Sequence, residues 1–295
     1  IFFSGGIDSL SILQSNRQRY PSDHPGWIKD GLSVCGLEIQ EPGAFEIVLD
    51  SLALLAADAG IALIPIHTNI RSLGPEDVLD FWKFWTRQFM GCAFAAIAHA
   101  FSKRLTEMTI SSDSAVPNLP PYGSHPLIDP SYSSNDLRIH HAGTTLSRFE
   151  RTKLVAASQL ALKHLRVCNK SQDYQPGMLN CGQCEKCLRT MLALSAIGML
   201  DKCQAFPTRT VSVEFVMRTL SLNSEIITFY QELIEPLSAS GRHDLARAIE
   251  LKIADYDKSQ KKLKWKKRLV ASIKKIDEDN LGGVLLKTKR FFSGR

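Results

Sequence analysis

Two groups of residues in this chain have the types and spacing that chemistry needs. The first is Ser4-Gly5-Gly6-Ile7-Asp8-Ser9, placed between the apolar Ile1-Phe2-Phe3 and a helix-compatible run that begins at Leu10. Two glycines let a backbone turn tightly and approach an anion. The N–H groups and dipole at a following helix start favour negative charge there. Ser4 and Ser9 add hydroxyl donors, and Asp8 suits Mg2+ where that ion bridges phosphates. No Gly-Lys-Ser/Thr follows, so the loop is not a Walker A loop. An ordinary glycine turn with a Ser or Asp helix cap is the plain alternative. The second group is Cys168, Cys181, Cys184 and Cys187. Four thiolates suit a tetrahedral Zn2+, with an iron–sulfur cluster, a redox pair or four unrelated thiols as alternatives. Cys35, Cys92 and Cys203 read as small buried apolar residues.

Positioning either group takes a scaffold, and the hydrophobic pattern supplies one. Residues 1–3, 32–37, 61–66, 108–110, 137–141 and 165–167 read as short strands. Helical patterns cover 45–59, 78–105 with a break near Gly91, and 147–162. Pro75 suits a helix start, and Cys184 and Cys187 fit the first turn of a helix running to Ala196. Alternating strands and helices predict an α/β fold, an open parallel sheet with helices on both faces. Ligands then bind at the carboxyl ends of the strands, which selects the loops 4–9, 67–71, 111–129 and 168–184. The expected division is an α/β domain over 1–207, a helical extension over 208–257 and a basic tail over 258–295.

The formal net charge of +6 belongs to that tail. Residues 258–295 hold 13 of the 36 basic and 3 of the 30 acidic residues, leaving the rest of the chain at −4. The body is therefore no obvious nucleic-acid binder by charge. In the tail, Trp265, Leu269, Ile273 and Ile276 fall at helical spacing among Lys262, Lys266, Lys267, Arg268, Lys274 and Lys275. Such a helix lies on an anionic membrane surface, contacts tRNA phosphates or packs on its own body. No uninterrupted apolar run reaches about 18 residues, so no spanning helix is expected. The opening at Ile1, in mid-strand, reads as a fragment with an upstream region missing, and the expected compartment is cytoplasmic.

The six-residue loop resembles the PP-loop of the N-type ATP pyrophosphatases. That resemblance implies a HUP-type, adenine nucleotide alpha-hydrolase-like fold and cleavage of ATP between its α and β phosphates, which adenylates a substrate oxygen. A PP-loop followed by Cys168 and then Cys181-Gly-Gln-Cys184-Glu-Lys-Cys187-Leu-Arg189 is similar to the 7-cyano-7-deazaguanine synthase family. The resemblance implies ATP, Mg2+ and Zn2+ as cofactors, with Zn2+ on the four cysteines, and a carboxylate substrate that meets ammonia. The long gap from Cys168 to Cys181, the loop 111–129 and the C-terminal extension depart from that family. ATP activation and the metal are therefore carried over, and the deazapurine substrate is not. The function classes are a small-molecule C–N ligase, a tRNA- or protein-modifying enzyme of the same superfamily, and a nucleotide-binding module without turnover. A homo-oligomer is compatible with each.

Further candidates follow from position. Ser4, Gly5, Gly6, Asp8, Ser9, Thr68, Asn69 and Arg148 are expected to bind the nucleotide, and Asp8, Ser9, Lys153 and Asp113 to serve the chemistry. His67 and Arg71 share the loop of Thr68 and Asn69, which equally suits a helix cap. Ser112, His125 and Asp129 share the long loop of Asp113, and loops that long are often functional. His140 and His141 end a strand, where alternation turns one of them inward. Arg148 or Lys153 can neutralise leaving pyrophosphate or lie on a solvated helix face. No Ser-His-Asp set and no glutaminase signature is readable, so ammonia comes free or from a partner.

Overall fold

The computed structural model describes residues 1–73 and 81–281, with the side chains of residue 81 and residues 276–281 excepted. The expected helix start at Pro75 and the segment from Val78 to residue 80 lie outside the described residues. Two parallel strand pairs form the centre. β1 (Asp30–Cys35) pairs with β2 (Ala62–His67), register Asp30↔Ala62 to Cys35↔His67. β3 (Glu107–Ser111) pairs with β4 (Arg138–Ala142), register Glu107↔Arg138 to Ser111↔Ala142.

Residues 1–3 lie between the pairs. Leu32 N–H donates to the Ile1 carbonyl and Phe3 N–H to the Leu32 carbonyl, both at 2.8 Å, while Phe2 N–H reaches the Thr109 carbonyl at 3.3 Å. The segment is too short to carry a full ladder on either side. The expected single sheet is therefore realised as two pairs with a three-residue join. Alternation sorts the side chains: Phe3 enters one apolar cluster with Ile7, Phe45 and Leu52, and Phe2 packs with Leu32, Phe94 and Ile66 on the opposite side.

Helices supply both apolar layers. α1 (Ile7–Arg19) starts directly after the Ser-Gly-Gly turn. α2 (Pro42–Ala59) has proline in its first turn and ends at Gly60 in the left-handed region, φ 63°. The expected long helix is interrupted: α3 (Phe81–Phe84) passes through a π-helical turn, Trp85–Phe89, into α4 (Met90–His99). The wide turn leaves the Thr86 carbonyl to accept from Gly123 N–H at 2.8 Å, and Gly91 N–H donates to the Gly123 carbonyl at 3.1 Å. Such π turns often mark functional sites. A Cβ on Gly91 would overlap the Gly123 carbonyl oxygen and come within 2.7 Å of Asp129 Oδ1. Gly91→Ala is expected to lower stability by about 1–3 kcal/mol through overpacking. Urea unfolding measures this, and an unchanged midpoint would refute the backbone contact.

The expected helix over 147–162 is also two. α5 (Arg148–Ala156) opens with a capping box between Ser147 and Glu150, and α6 (Gln159–His164) opens on Ser158, whose hydroxyl accepts from Ala161 N–H. Residues 165–167 join no strand ladder, contrary to expectation. Arg166 N–H instead makes a single bond to the Gly5 carbonyl at 2.9 Å. α7 (Glu185–Ala196) is buried along most of its length. α8 (Val213–Thr219), α9 (Ile227–Gln231), α10 (Ile234–Ala239) and the start of α11 (His243–Leu281) place Val216, Tyr230, Leu237 and Leu245 in the same apolar cluster as α7. Over residues 258–275 no side chain is buried; Trp265 is 62 % exposed and Val270 52 %. This part of the tail helix does not pack on the body, and the side chain of Ile276 and residues 282–295 lie outside what is described. Among the described residues no helix is long and apolar enough to cross a membrane.

Candidate functional site

The turn Ser4-Gly5-Gly6 is held by its own residues. Gly6 N–H donates to Ser4 Oγ at 3.3 Å, Ser9 Oγ donates to the Gly6 carbonyl at 3.3 Å, and the two serine hydroxyls lie 3.3 Å apart. Gly5 has φ 70°, and a Cβ there would sit 2.8 Å from Leu52 Cδ2, so both conformation and space call for glycine. Leu10 N–H is the first to close onto the turn, at the Gly6 carbonyl. Helical geometry leaves the N–H groups of Ile7, Asp8 and Ser9 without intrahelical acceptors. They stand at one wall of a cavity of about 450 Å³.

That cavity gathers side chains from both strand pairs and from helices on both sides of them. Ser4, Gly6, Asp8 and Ser9 line it, with Asp113, Ser111, His141, Arg148, Glu38, Arg166, Lys186 and Arg189. Trp82, Trp85, Phe94 and Phe229 give it aromatic walls. Among the described residues its wall holds the cationic side chains of Arg71, Arg148, Arg166, Lys186 and Arg189 and the acidic ones of Asp8, Glu38, Asp113, Glu185 and Glu225. Donors to an anion converge at the start of α1, where the free N–H groups stand beside Ser4 and Ser9.

Asp8 is the centre of this electrostatics. Its carboxylate accepts from Arg148 Nη1 at 3.1 and 3.0 Å and from Arg151 Nη1 at 2.8 Å. Burial alone would raise its pKa; Arg148 and Arg151 outweigh that and hold it below its usual value. Arg151 is only 1 % exposed and also donates to the carbonyls of Leu146, Ser112 and Gly143. It thereby fastens α5 to the ends of β3 and β4 and to the start of α1. Asp113 stands exposed at the cavity wall; crowding by protein and, next, the charge on Asp8 push its carboxyl up. Lys186 does most to hold the Glu38 carboxyl low, and Arg166 adds to it from 3.3 Å. Arg189 lies with its guanidinium 4.4 Å over the Phe229 ring, and its buried Nε has no hydrogen-bond partner. Burial, then Arg148, lower its pKa, and Glu185, whose Oε1 lies 3.6 Å from Nε, opposes them.

Not every expected residue is here. Lys153, five positions after Arg148, points to solvent and lies over the Phe149 ring at 5.1 Å. Arg151, three positions after Arg148, shares its helix face and joins it on Asp8. Thr68 and Asn69 line a separate, open hollow with Cys35, Gly36, Gln40, Pro42 and His67. Arg71, from the same loop, does reach the main cavity; its Nη1 donates to the Leu37 carbonyl at 2.8 Å.

The four cysteines converge. Their sulfur atoms all lie within 4.8 Å of one another, with individual separations of 3.4, 3.5, 3.8 and 3.9 Å. A tetrahedral ion with bonds of about 2.3 Å requires edges of about 3.8 Å, so the thiols fit a metal ion such as zinc. Lys170 N–H and Gln183 N–H donate to the sulfurs of Cys168 and Cys181, both at 3.4 Å. Cys184 is the N-cap of α7, and Cys187 lies in its first turn. Asn180 pins the surrounding loop through four bonds: it accepts from the N–H groups of Val167 and Cys168 and donates to the carbonyls of Leu165 and Ala205. Cys168 itself follows Arg166, which bonds Gly5 through its N–H and the Ser4 carbonyl through Nε at 2.9 Å. The cysteine cluster and the glycine turn are thus two residues of chain apart. No protein-family model, curated protein or solved structure matches this chain.

Proposed function

We propose that this chain is an ATP-dependent, AMP- and pyrophosphate-forming enzyme of the PP-loop type, with a structural metal on its four cysteines. What supports the reading most directly is the convergence at one cavity of the α1 N-terminus, Ser4, Ser9, Arg148 and Arg189. Backbone N–H groups and hydroxyls there suit the oxygens of pyrophosphate, and the guanidinium groups suit its charge. The aromatic wall of Trp82, Trp85 and Phe94 offers flat apolar surface to a heteroaromatic base.

Asp8 fits Mg2+ by chemistry, being a carboxylate beside the phosphate cradle. Among the described residues its Oδ2 accepts from Arg148 alone, which leaves that oxygen a lone pair for a cation. The ion's contribution would be to neutralise charge on the leaving group. Asp113, which lines the same cavity as Asp8 and has its pKa raised by crowding and by that charge, is available to meet the group that is activated. The acceptor is a carboxylate or amide-type oxygen, and the displacing nucleophile is ammonia or another amine.

The test is ATP–pyrophosphate exchange with Mg2+ over a panel of carboxylic acids, with Ser9→Ala as the paired variant. Exchange that depends on one class of acid and falls about 100-fold or more in Ser9→Ala is expected, by analogy with the loss of one preorganised oxyanion donor. ATP binding without exchange for any acid would leave a nucleotide-binding module; no ATP binding at all would remove the reading.

A further inference from the structure

His141 is not needed by the phosphate cradle, yet the fold takes trouble over it. Its strand partner in β3 is Ile110, and both line the main cavity. His140 points the other way and meets Glu107 at 3.3 Å. The His141 side chain is 5 % exposed, and its Nδ1 lies 2.7 Å from Oδ2 of the fully buried Asp129. Ser124 Oγ donates to the same Oδ2 at 2.7 Å, and His125 N–H donates to Oδ1 at 3.2 Å.

Asp129 accepts from two other donors, so it faces the imidazole nitrogen as an acceptor. In the neutral ring the proton therefore sits on Nδ1, and Nε2 carries the lone pair. Nε2 is buried and has no hydrogen-bond partner. A buried polar atom without a partner is costly, and here it belongs to a residue on the wall of a ligand-sized cavity. Aspartate orients imidazole and imidazole presents a base; this is the base-and-orienter arrangement of acid–base sites.

We propose that His141 is the proton acceptor of this cavity and takes the proton from the incoming nitrogen nucleophile, with Asp129 and Ser124 as positioning residues. The proposal rests on the adenylation reading for its substrate class, an acyl adenylate attacked by ammonia. In that step the nitrogen forms a bond to the acyl carbon. The carbon–oxygen bond to phosphate breaks, and its electron pair leaves with AMP. One proton passes from nitrogen to Nε2, and Asp129 stabilises the imidazolium until the proton returns to water.

Two measurements on the full chain test this. Histidine-15N NMR, with the resonance assigned by its loss in His141→Gln, is expected to show the neutral ring protonated on Nδ1 and bare at Nε2. A proton on Nε2 overturns the proposal whatever reaction the protein catalyses. The second measurement compares ammonium chloride and hydroxylamine as acceptors, with the acid found by the exchange screen. Hydroxylamine is largely unprotonated at neutral pH and needs little help from a base. In His141→Gln, ammonia-dependent amide formation is expected to fall about 100-fold or more, with hydroxamate formation and ATP–pyrophosphate exchange retained. Equal ammonia-dependent rates in variant and wild type overturn the proposal, as does parallel loss of exchange. If no acid supports exchange in the wild type, the adenylation reading falls, while the NMR result still decides whether a base faces the cavity.

Discussion

Serine at Cys187 is expected to have the largest effect of any single substitution in this chain. Purified wild type should carry one tightly held metal ion per chain by elemental analysis, and Cys187→Ser should carry far less and melt early or fail to accumulate. The four sulfur atoms already lie within 4.8 Å of one another, and structural zinc binding contributes on the order of 10 kcal/mol to the folded state. That exceeds the total stability of many domains. Cys187 is fully buried, and its neighbours Leu188 and Met191 lie in the main apolar cluster, so release of the α7 start opens that cluster. The damage should also reach the cavity, because Arg166, two residues before Cys168, holds the carbonyls of both Ser4 and Gly5. A strong chelator at low denaturant should therefore weaken ATP binding along with stability. A brown wild-type protein would assign an iron–sulfur cluster instead. Metal-free wild type with the same melting temperature as Cys187→Ser would remove the metal centre altogether.

The cysteine cluster and the glycine turn are legible because each is a local pattern whose residue types have few other uses. The four strands of the two pairs are legible too, since short apolar runs of that length bounded by polar loops have one economical place in an α/β chain. What fails is whatever depends on register between distant segments. Residues 165–167 look as strand-like as residues 108–110, but only one of the two finds a ladder, because the edge beside Gly5 offers a single bond. The aromatic run over 78–105 shows helical periodicity and hides the π turn, since the extra residue is fixed by Gly123 reaching the Thr86 carbonyl. Lys153 and Arg151 look equally available in sequence. The three-residue step from Arg148 was the signal that separates them. Thr68 and Asn69 follow a strand as a ligand-binding loop should, yet β2 is the outer strand of its pair and its loop opens on a different hollow. Alternation selects His141 over His140, but no spacing rule could announce that Asp129 would stand 2.7 Å behind it.

Methionine at Arg151 is expected to cost about 3–5 kcal/mol, the range for breaking a buried ion pair by removing one partner. The side chain is 1 % exposed and satisfies Asp8 and three carbonyls at once: Leu146, Ser112 and Gly143. Methionine fills much of the volume and takes this donor from the three carbonyls, while Asp8 keeps Arg148. Lysine keeps the charge but cannot reproduce a planar fork directed at several acceptors, so Arg151→Lys should fall between methionine and wild type. The same pair sets an acid limit. The folded-state pKa of Asp8 lies below its ordinary value of 3.8, so its ionised form stabilises the fold. That contribution is complete above the unfolded-state pKa and is lost as pH falls through the lower folded-state value. Urea midpoints measured downward from pH 5 should therefore drop in wild type and drop less in Asp8→Asn, which has no proton to gain at that position. Arg151→Met should start lower at neutral pH and approach the wild type in acid, because the interaction it lacks is the one that acid removes. Parallel curves for wild type and Arg151→Met would show that the arginine is held by its three carbonyls alone. Asp8 would then be left to Arg148, which lines the cavity where Arg151 does not.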